Sequence, residues 1–115
     1  SGLPFSKVID GRLWHNPGVI GLPANDGTPR VWYSLLHSGD DGITVETKAL
    51  RYDHLSAAKA IRKADLPNDY ADALESGLWP SDDIMPAEDR RRRGVALLPA
   101  RLLWQPPAPV PAAAE

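Results

Sequence analysis

The chain of 115 residues contains no cysteine, which rules out disulfide staples, thiolate-bound metals and a cysteine nucleophile. Aromatic residues are few, at 7%, and half of them are tryptophans: Trp14, Trp32, Trp79 and Trp104. Scattered over different segments, these four read as packing anchors and not as the alternating platform on which nucleic-acid bases stack. Neither sign of charge dominates. Thirteen Lys and Arg against fifteen Asp and Glu leave a net charge of -2, which gives no global attraction to nucleic acid or to an acidic membrane. No apolar run approaches the roughly 18 residues that would suggest a membrane span, and no basic segment followed by an apolar core opens the chain. The expectation is a cytoplasmic chain with no signal peptide and neither a membrane nor a nucleic-acid partner.

What is present is the ordinary composition of one modest domain, 43% hydrophobic and 24% charged. Its first half reads as β structure. Lys7-Val8-Ile9, Asp10-Gly11 and Arg12-Leu13-Trp14 form a hairpin signal, because Asp-Gly suits a type I′ turn whose twist matches the flanking strands. Asn16-Pro17-Gly18 then forces the backbone round: Pro17 fixes its own φ and Gly18 can take a positive one. Gly21, Pro23, Asn25, Asp26, Gly27 and Pro29 punctuate a loop too ordered to be a random linker. Val31 to Leu36 is largely apolar on both faces and calls for cover on both sides. After a polar turn at Ser38 to Gly42, Ile43, Val45 and Thr47 alternate with Thr44, Glu46 and Lys48, which predicts a strand with one buried and one wet face.

The period changes in the second half. Asp53 is placed to cap a helix whose Leu55, Ala58 and Ile61 share a side. Tyr70, Ala73 and Leu74 predict a second short helix stopped by Gly77, and a third helical turn runs from Pro86 through Arg93. The predicted fold class is therefore α+β, with antiparallel strands and hairpins over about 6–50 and helices over about 53–93. The domain is expected to span 1–104, followed at 105–115 by a Pro/Ala-rich mobile tail that cannot bury a core.

The run His15 to Leu36, HNPGVIGLPANDGTPRVWYSLL, resembles the Asn-Pro-Gly-Ser segment and following strand of calcineurin-like metallophosphoesterases. Ser1-Gly2-Leu3-Pro4-Phe5 is similar to the tail of that family's Gly-His-Ser/Thr-His motif and the turn after it. Leu50-Arg51-Tyr52-Asp53 and Tyr70 to Pro80 resemble the C-terminal part of bacterial members, so the likeness extends over roughly residues 1 to 90 in the same order. The resemblance implies the C-terminal portion of a four-layer α/β/β/α sandwich whose parent hydrolyses phosphate esters. In such enzymes two divalent metals (Mn, Fe, Zn or similar) activate a water and clamp the charge on phosphorus.

The family's ligand motifs are Asp-x-His, Gly-Asp-x-x-Asp, Gly-Asn-His-Asp/Glu, a lone His and Gly-His-x-His, and the first four are not in this chain. Gly39-Asp40 begins like the second, but Ile43 stands where its second Asp belongs; His15-Asn16 has the wrong order for Asn-His, and Asp53-His54 are adjacent. The fifth is cut: its first His falls before Ser1, and Gly2 stands at the place of the second. No catalytic residue, metal ligand or cofactor is therefore assigned to this chain alone. The candidate substrate-cleft residues are His15, Asn16 and Gly18, because the resemblance puts their turn beside the metals. Asn16 also has a purely structural reading, holding the turn by a side-chain-to-backbone bond.

Other features have plainer readings. His15, His37 and His54 show no ligand spacing. Arg90 to Arg93 follows Glu88-Asp89 near a helix end and reads as a solvated face or a partner-docking edge. Pro106-Pro107-Ala108-Pro109 fits a PxxP ligand, a pattern frequent by chance in proline-rich tails. Two functions follow from different classes. In the first, the chain is the non-catalytic C-terminal segment of a metallophosphoesterase, paired with the N-terminal half or with another copy through its open sheet. In the second, it is an independent α+β protein-interaction module.

Overall fold

The computed structural model describes residues 2–108. The element order is β1 (Phe5–Ile9), β2 (Arg12–Asn16), β3 (Val31–Gly39), β4 (Gly42–Leu50), α1 (His54–Lys63), α2 (Asn68–Ser76), α3 (Ala87–Arg91) and β5 (Ala100–Trp104). β1 and β2 make a two-stranded antiparallel sheet, and β3, β4 and β5 make a second antiparallel sheet with β4 in the middle. The α+β class and the division into a strand-rich first half and a helical second half are as the sequence predicts.

Asp10 and Gly11 both adopt positive φ, 52° and 76°, the pairing a type I′ turn demands. The second hairpin turns at Asp40-Asp41, with Gly39 paired to Gly42. β5 was not anticipated. Its sequence, ARLLW, has no alternation to mark it. Its pairing with β4, from Ile43↔Trp104 to Thr47↔Ala100, is a tertiary choice that local pattern does not encode. The tail expected at 105–115 has no regular structure over 105–108, and the remainder of it, including the last proline of the PxxP pattern, lies outside the described residues.

The registers sort side chains onto faces. Trp32, Ser34, Leu36, Val45, Thr47 and Leu102 share one face of the three-stranded sheet. The β1–β2 hairpin lies against it, with the Trp104 indole donating to the Gly11 carbonyl. The other face carries Tyr33, Leu35, Glu46, Lys48, Arg101 and Leu103. Cover is uneven. Val31 and Trp32 are buried, yet Leu36 is 63% exposed and Leu35 is 38% exposed, so the described residues leave the far half of β3 without the two-sided cover its sequence calls for.

The helices pack on each other. Ala58, Ala71 and Leu74 form a small buried cluster with Ala57 and Ile61 against it. Small residues on facing surfaces let α1 and α2 approach closely, and Arg62 staples them by ion pairs to Asp72 (2.7 Å) and Glu75. Those pairs are exposed and contribute little. Leu55, expected on the buried side of α1, is instead 60% exposed. The Asp53 carboxylate caps α1 by accepting from Ser56 N at 3.1 Å. Gly77 ends α2 in the left-handed region at φ 75°, as its position predicts.

Two measurements check this account. A Cβ on Gly77 would lie 2.2 Å from the Thr28 carbonyl oxygen and 2.4 Å from its nitrogen, in a backbone conformation that L-residues resist. Gly77→Ala should therefore destabilise the chain by at least about 2 kcal/mol in urea unfolding. The second concerns pH. Hydrogen bonding from Ser56, side chain first and backbone second, holds the Asp53 carboxyl below its ordinary value in the folded state. The unfolded chain then binds the proton more readily, so the cap's contribution is complete above the ordinary carboxylate pKa and fades as pH falls through the lowered one. Asp53→Ala should melt below the wild type at neutral pH, and the two melting curves should converge as the solution is acidified through that window.

Candidate functional site

The three candidate residues come together at one turn. Asn16 Oδ1 accepts from Gly18 N at 2.9 Å, closing the turn through its side chain, and Gly18 sits at φ 83°. A Cβ on Gly18 would lie 3.0 Å from Trp32 Cβ and 3.4 Å from Pro4 Cδ, so the turn is wedged between the start of β3 and the segment before β1. Trp32 N donates to the Val19 carbonyl at 3.3 Å and fixes the exit of the turn to β3. Trp32 is 1% exposed, and its indole Nε1 has no hydrogen-bond partner among the described residues. An orphaned donor of this kind costs about 1–3 kcal/mol.

His15 joins two other strands through its ring. Its Nδ1 is 2.8 Å from Ser6 Oγ on β1, and its Nε2 is 2.8 Å from Ser34 Oγ on β3. One imidazole thus bridges the hairpin to the three-stranded sheet, with both ring nitrogens engaged. In the neutral ring one serine donates and the other accepts; in the charged ring both accept. A histidine committed in this way is a rivet between sheets and has no lone pair left for a metal. His37 lies at the far end of β3, and His54 is the first residue of α1. Among the described residues no three of the His, Asp and Glu side chains converge as a metal site would require. At Gly2, where the resembled motif would carry its second histidine, a Cβ would come within 3.0 Å of the Trp79 ring.

The most elaborate chemistry belongs to residues that sequence reading treated only as loop punctuation. Asp26 is 2% exposed, and its carboxylate accepts four hydrogen bonds. Thr28 N (3.1 Å) and Thr28 Oγ1 (2.7 Å) reach Oδ1, while Leu97 N (2.9 Å) and Arg30 Nη2 (3.2 Å) reach Oδ2. Beside it Asn25, at φ 58°, accepts through Oδ1 from Trp79 N (2.8 Å) and Arg93 Nη1 (3.1 Å), and through its carbonyl from Gly94 N (2.9 Å). The Trp79 indole donates to the Pro23 carbonyl at 2.6 Å. Arg93 also donates to the Trp79 carbonyl, so the last arginine of the run is a structural clamp, while Arg90 to Arg92 stand exposed as a solvated face. A cleft of ≈ 290 Å³ opens beside this network, walled by Phe5, Lys7, Asp26, Met85, Asp89 and Arg92 among others.

The tryptophans divide. Trp32 and Trp79 are core anchors and Trp104 is half-buried, but Trp14 is 57% exposed on the outer face of the hairpin, against the expectation of packing. That face follows from the register: Phe5, Lys7 and Ile9 of β1 with Arg12, Trp14 and Asn16 of β2, opposite the Ser6–His15 face that meets the sheet. It is apolar and cationic, and the described residues leave it largely uncovered.

Asp26→Asn keeps the shape but removes the charge opposite Arg30, whose side chain is only 17% exposed. Breaking a buried pair by removing one partner costs about 3–5 kcal/mol, so this substitution should lower the unfolding free energy by that order in urea titrations. A loss under about 1 kcal/mol would mean that the carboxylate is dispensable to the fold. No protein-family model, no curated protein and no solved structure matches this chain.

Proposed function

We propose that this chain is the C-terminal segment of a metal-dependent phosphoesterase, supplying sheet strands and the Asn16-Pro17-Gly18 turn beside an active site completed by other residues of the parent protein. The observation that carries the reading is a juxtaposition. Two of the short segments that carry the resemblance, at residues 2–4 and 16–18, meet in space: the Gly18 Cβ position lies 3.4 Å from Pro4 Cδ and 3.6 Å from the Gly2 carbonyl oxygen. A tight turn held by Asn16 and packed on the tail of a ligand motif is suited to fix the backbone of that motif.

The residues present do not themselves fit a metal pair. His15 spends both nitrogens on Ser6 and Ser34, and Gly2 abuts Trp79. No catalytic step is therefore derived from this chain. Its contribution is positional, and the hairpin's outer face, with Phe5, Ile9 and Trp14 each 43–57% exposed, is suited to seat the rest of the parent or a second copy.

Two forms of the protein test the reading. The chain alone should neither hold stoichiometric Mn, Fe or Zn by elemental analysis nor hydrolyse p-nitrophenyl phosphate. Together with an upstream segment bearing Asp-x-His, Gly-Asp-x-x-Asp and Gly-Asn-His-Asp/Glu, it should do both. In that longer protein Gly18→Val should cost about 1 kcal/mol or more of stability and lower kcat beyond the unfolded fraction. An unrelated upstream domain, or turnover by the chain alone, would replace the proposal; the first outcome favours the independent interaction module.

A further inference from the structure

A groove of ≈ 600 Å³ opens between the loop at Thr28 to Arg30, the junction of β4 with α1, and the segment at Ala96 to Leu98 that leads into β5. Its volume lies in the range of small-molecule sites, about 300–1,000 Å³. Its lining has two characters. Pro29, Leu97 and Leu98 form an apolar wall, with Leu98 82% exposed, and Arg30, Arg51 and His54 bring cationic or cation-forming groups to the same space.

Arg30 is held before any ligand arrives. Its Nε donates to Thr28 Oγ1 (3.1 Å), its Nη2 donates to Asp26 Oδ2 (3.2 Å) and the Leu97 carbonyl (2.8 Å), and its guanidinium lies 5.2 Å from the centre of the Trp32 ring. Nη1 keeps its protons unspent among the described residues. Asp26 balances this cation from below, with both oxygens already filled by four donors. Arg51, exposed just after β4, makes no side-chain ion pair or hydrogen bond among the described residues. The imidazole of His54 has Nδ1 3.4 Å from the Tyr52 carbonyl and leaves Nε2 open. The nearest acid in sequence, Asp53, is turned onto the α1 N-terminus and does not line the groove.

We propose that this groove is an oxyanion site for a small phosphate monoester with an apolar or aromatic body. Guanidinium forks match phosphate oxygens, and a preorganised arginine loses less freedom on binding than a mobile one. Two arginines from separate segments, with an imidazole beside them, offer more donors than a carboxylate's two oxygens can use. The three terminal oxygens and double charge of a phosphate monoester use them fully. The apolar wall then receives the organic body. This site goes beyond the phosphoesterase reading: it needs no metal and no residue of the Asn16-Pro17-Gly18 turn, and it stands or falls whichever parent the chain has.

Calorimetric titration of the whole chain with phenyl phosphate, inorganic phosphate and benzoate tests it. Phenyl phosphate should bind saturably at one site, severalfold tighter than inorganic phosphate and about tenfold tighter than benzoate. Arg51→Ala, at an exposed position, should weaken it about tenfold with unchanged melting, the size expected for losing one charge-assisted contact. His54→Gln should weaken it less, and Lys63→Ala, a charge-matched change at the other end of α1, less than twofold. Absence of saturable binding, benzoate equal to phenyl phosphate, Arg51→Ala unchanged, or Lys63→Ala as damaging as Arg51→Ala would each overturn the proposal.

Discussion

The buried carboxylate of Asp26 is the point on which the middle of the molecule turns. A charge at 2% exposure is tolerable only if its lone pairs are filled, and here two side chains, Thr28 and Arg30, and two backbone N–H groups, of Thr28 and Leu97, fill them. Because those donors come from the loop and from Leu97, the arrangement fixes the path of the chain into β5 as well as that of the loop. Asn25 does the same for the end of α2, through Trp79 and Arg93. Few apolar side chains are fully buried, and two adjacent polar residues whose oxygens are filled by distant donors organise what hydrophobic burial leaves undetermined.

Much of the fold was legible where a local rule decides the structure. Asp10-Gly11 has one favourable turn, Asp53 one capping role, Gly77 one conformation that ends a helix, and each stands as its chemistry dictates. Legibility failed where distant partners decide. β5 exists because β4 offers a free edge, and nothing in Ala100 to Trp104 says so. Leu55 and Trp14 look like core residues by hydropathy, but the described chain provides no surface to cover them.

The site shows the same division. Asn16 and Gly18 form the turn that their order suggests, and Asn16 does so by the side-chain bond that offered its plainer reading. His15 could not be placed, since its partners Ser6 and Ser34 lie on other strands and serine gives no spacing signal. Asn25, Asp26 and Arg30 were visible as residues but not as a network. The one hint was an acid and an arginine four apart inside a loop, a spacing that carries meaning on a helix and none in irregular backbone.

The clasp between Asp26 and Leu97 closes a separation of 71 residues, and that between Asn25 and Arg93 a separation of 68. Contacts of such range must wait for loop-closure entropy to be overcome, while the hairpins and the α1–α2 pair need only neighbours. The order of assembly is thereby biased, with local pieces first and the polar knot last. During synthesis the Asp26 carboxylate stays hydrated until the segment around Leu97 has left the ribosome. The charged centre of the finished molecule thus makes its burial conditional on a segment 71 residues further along, and a nascent chain halted before that point retains its hairpins without the knot.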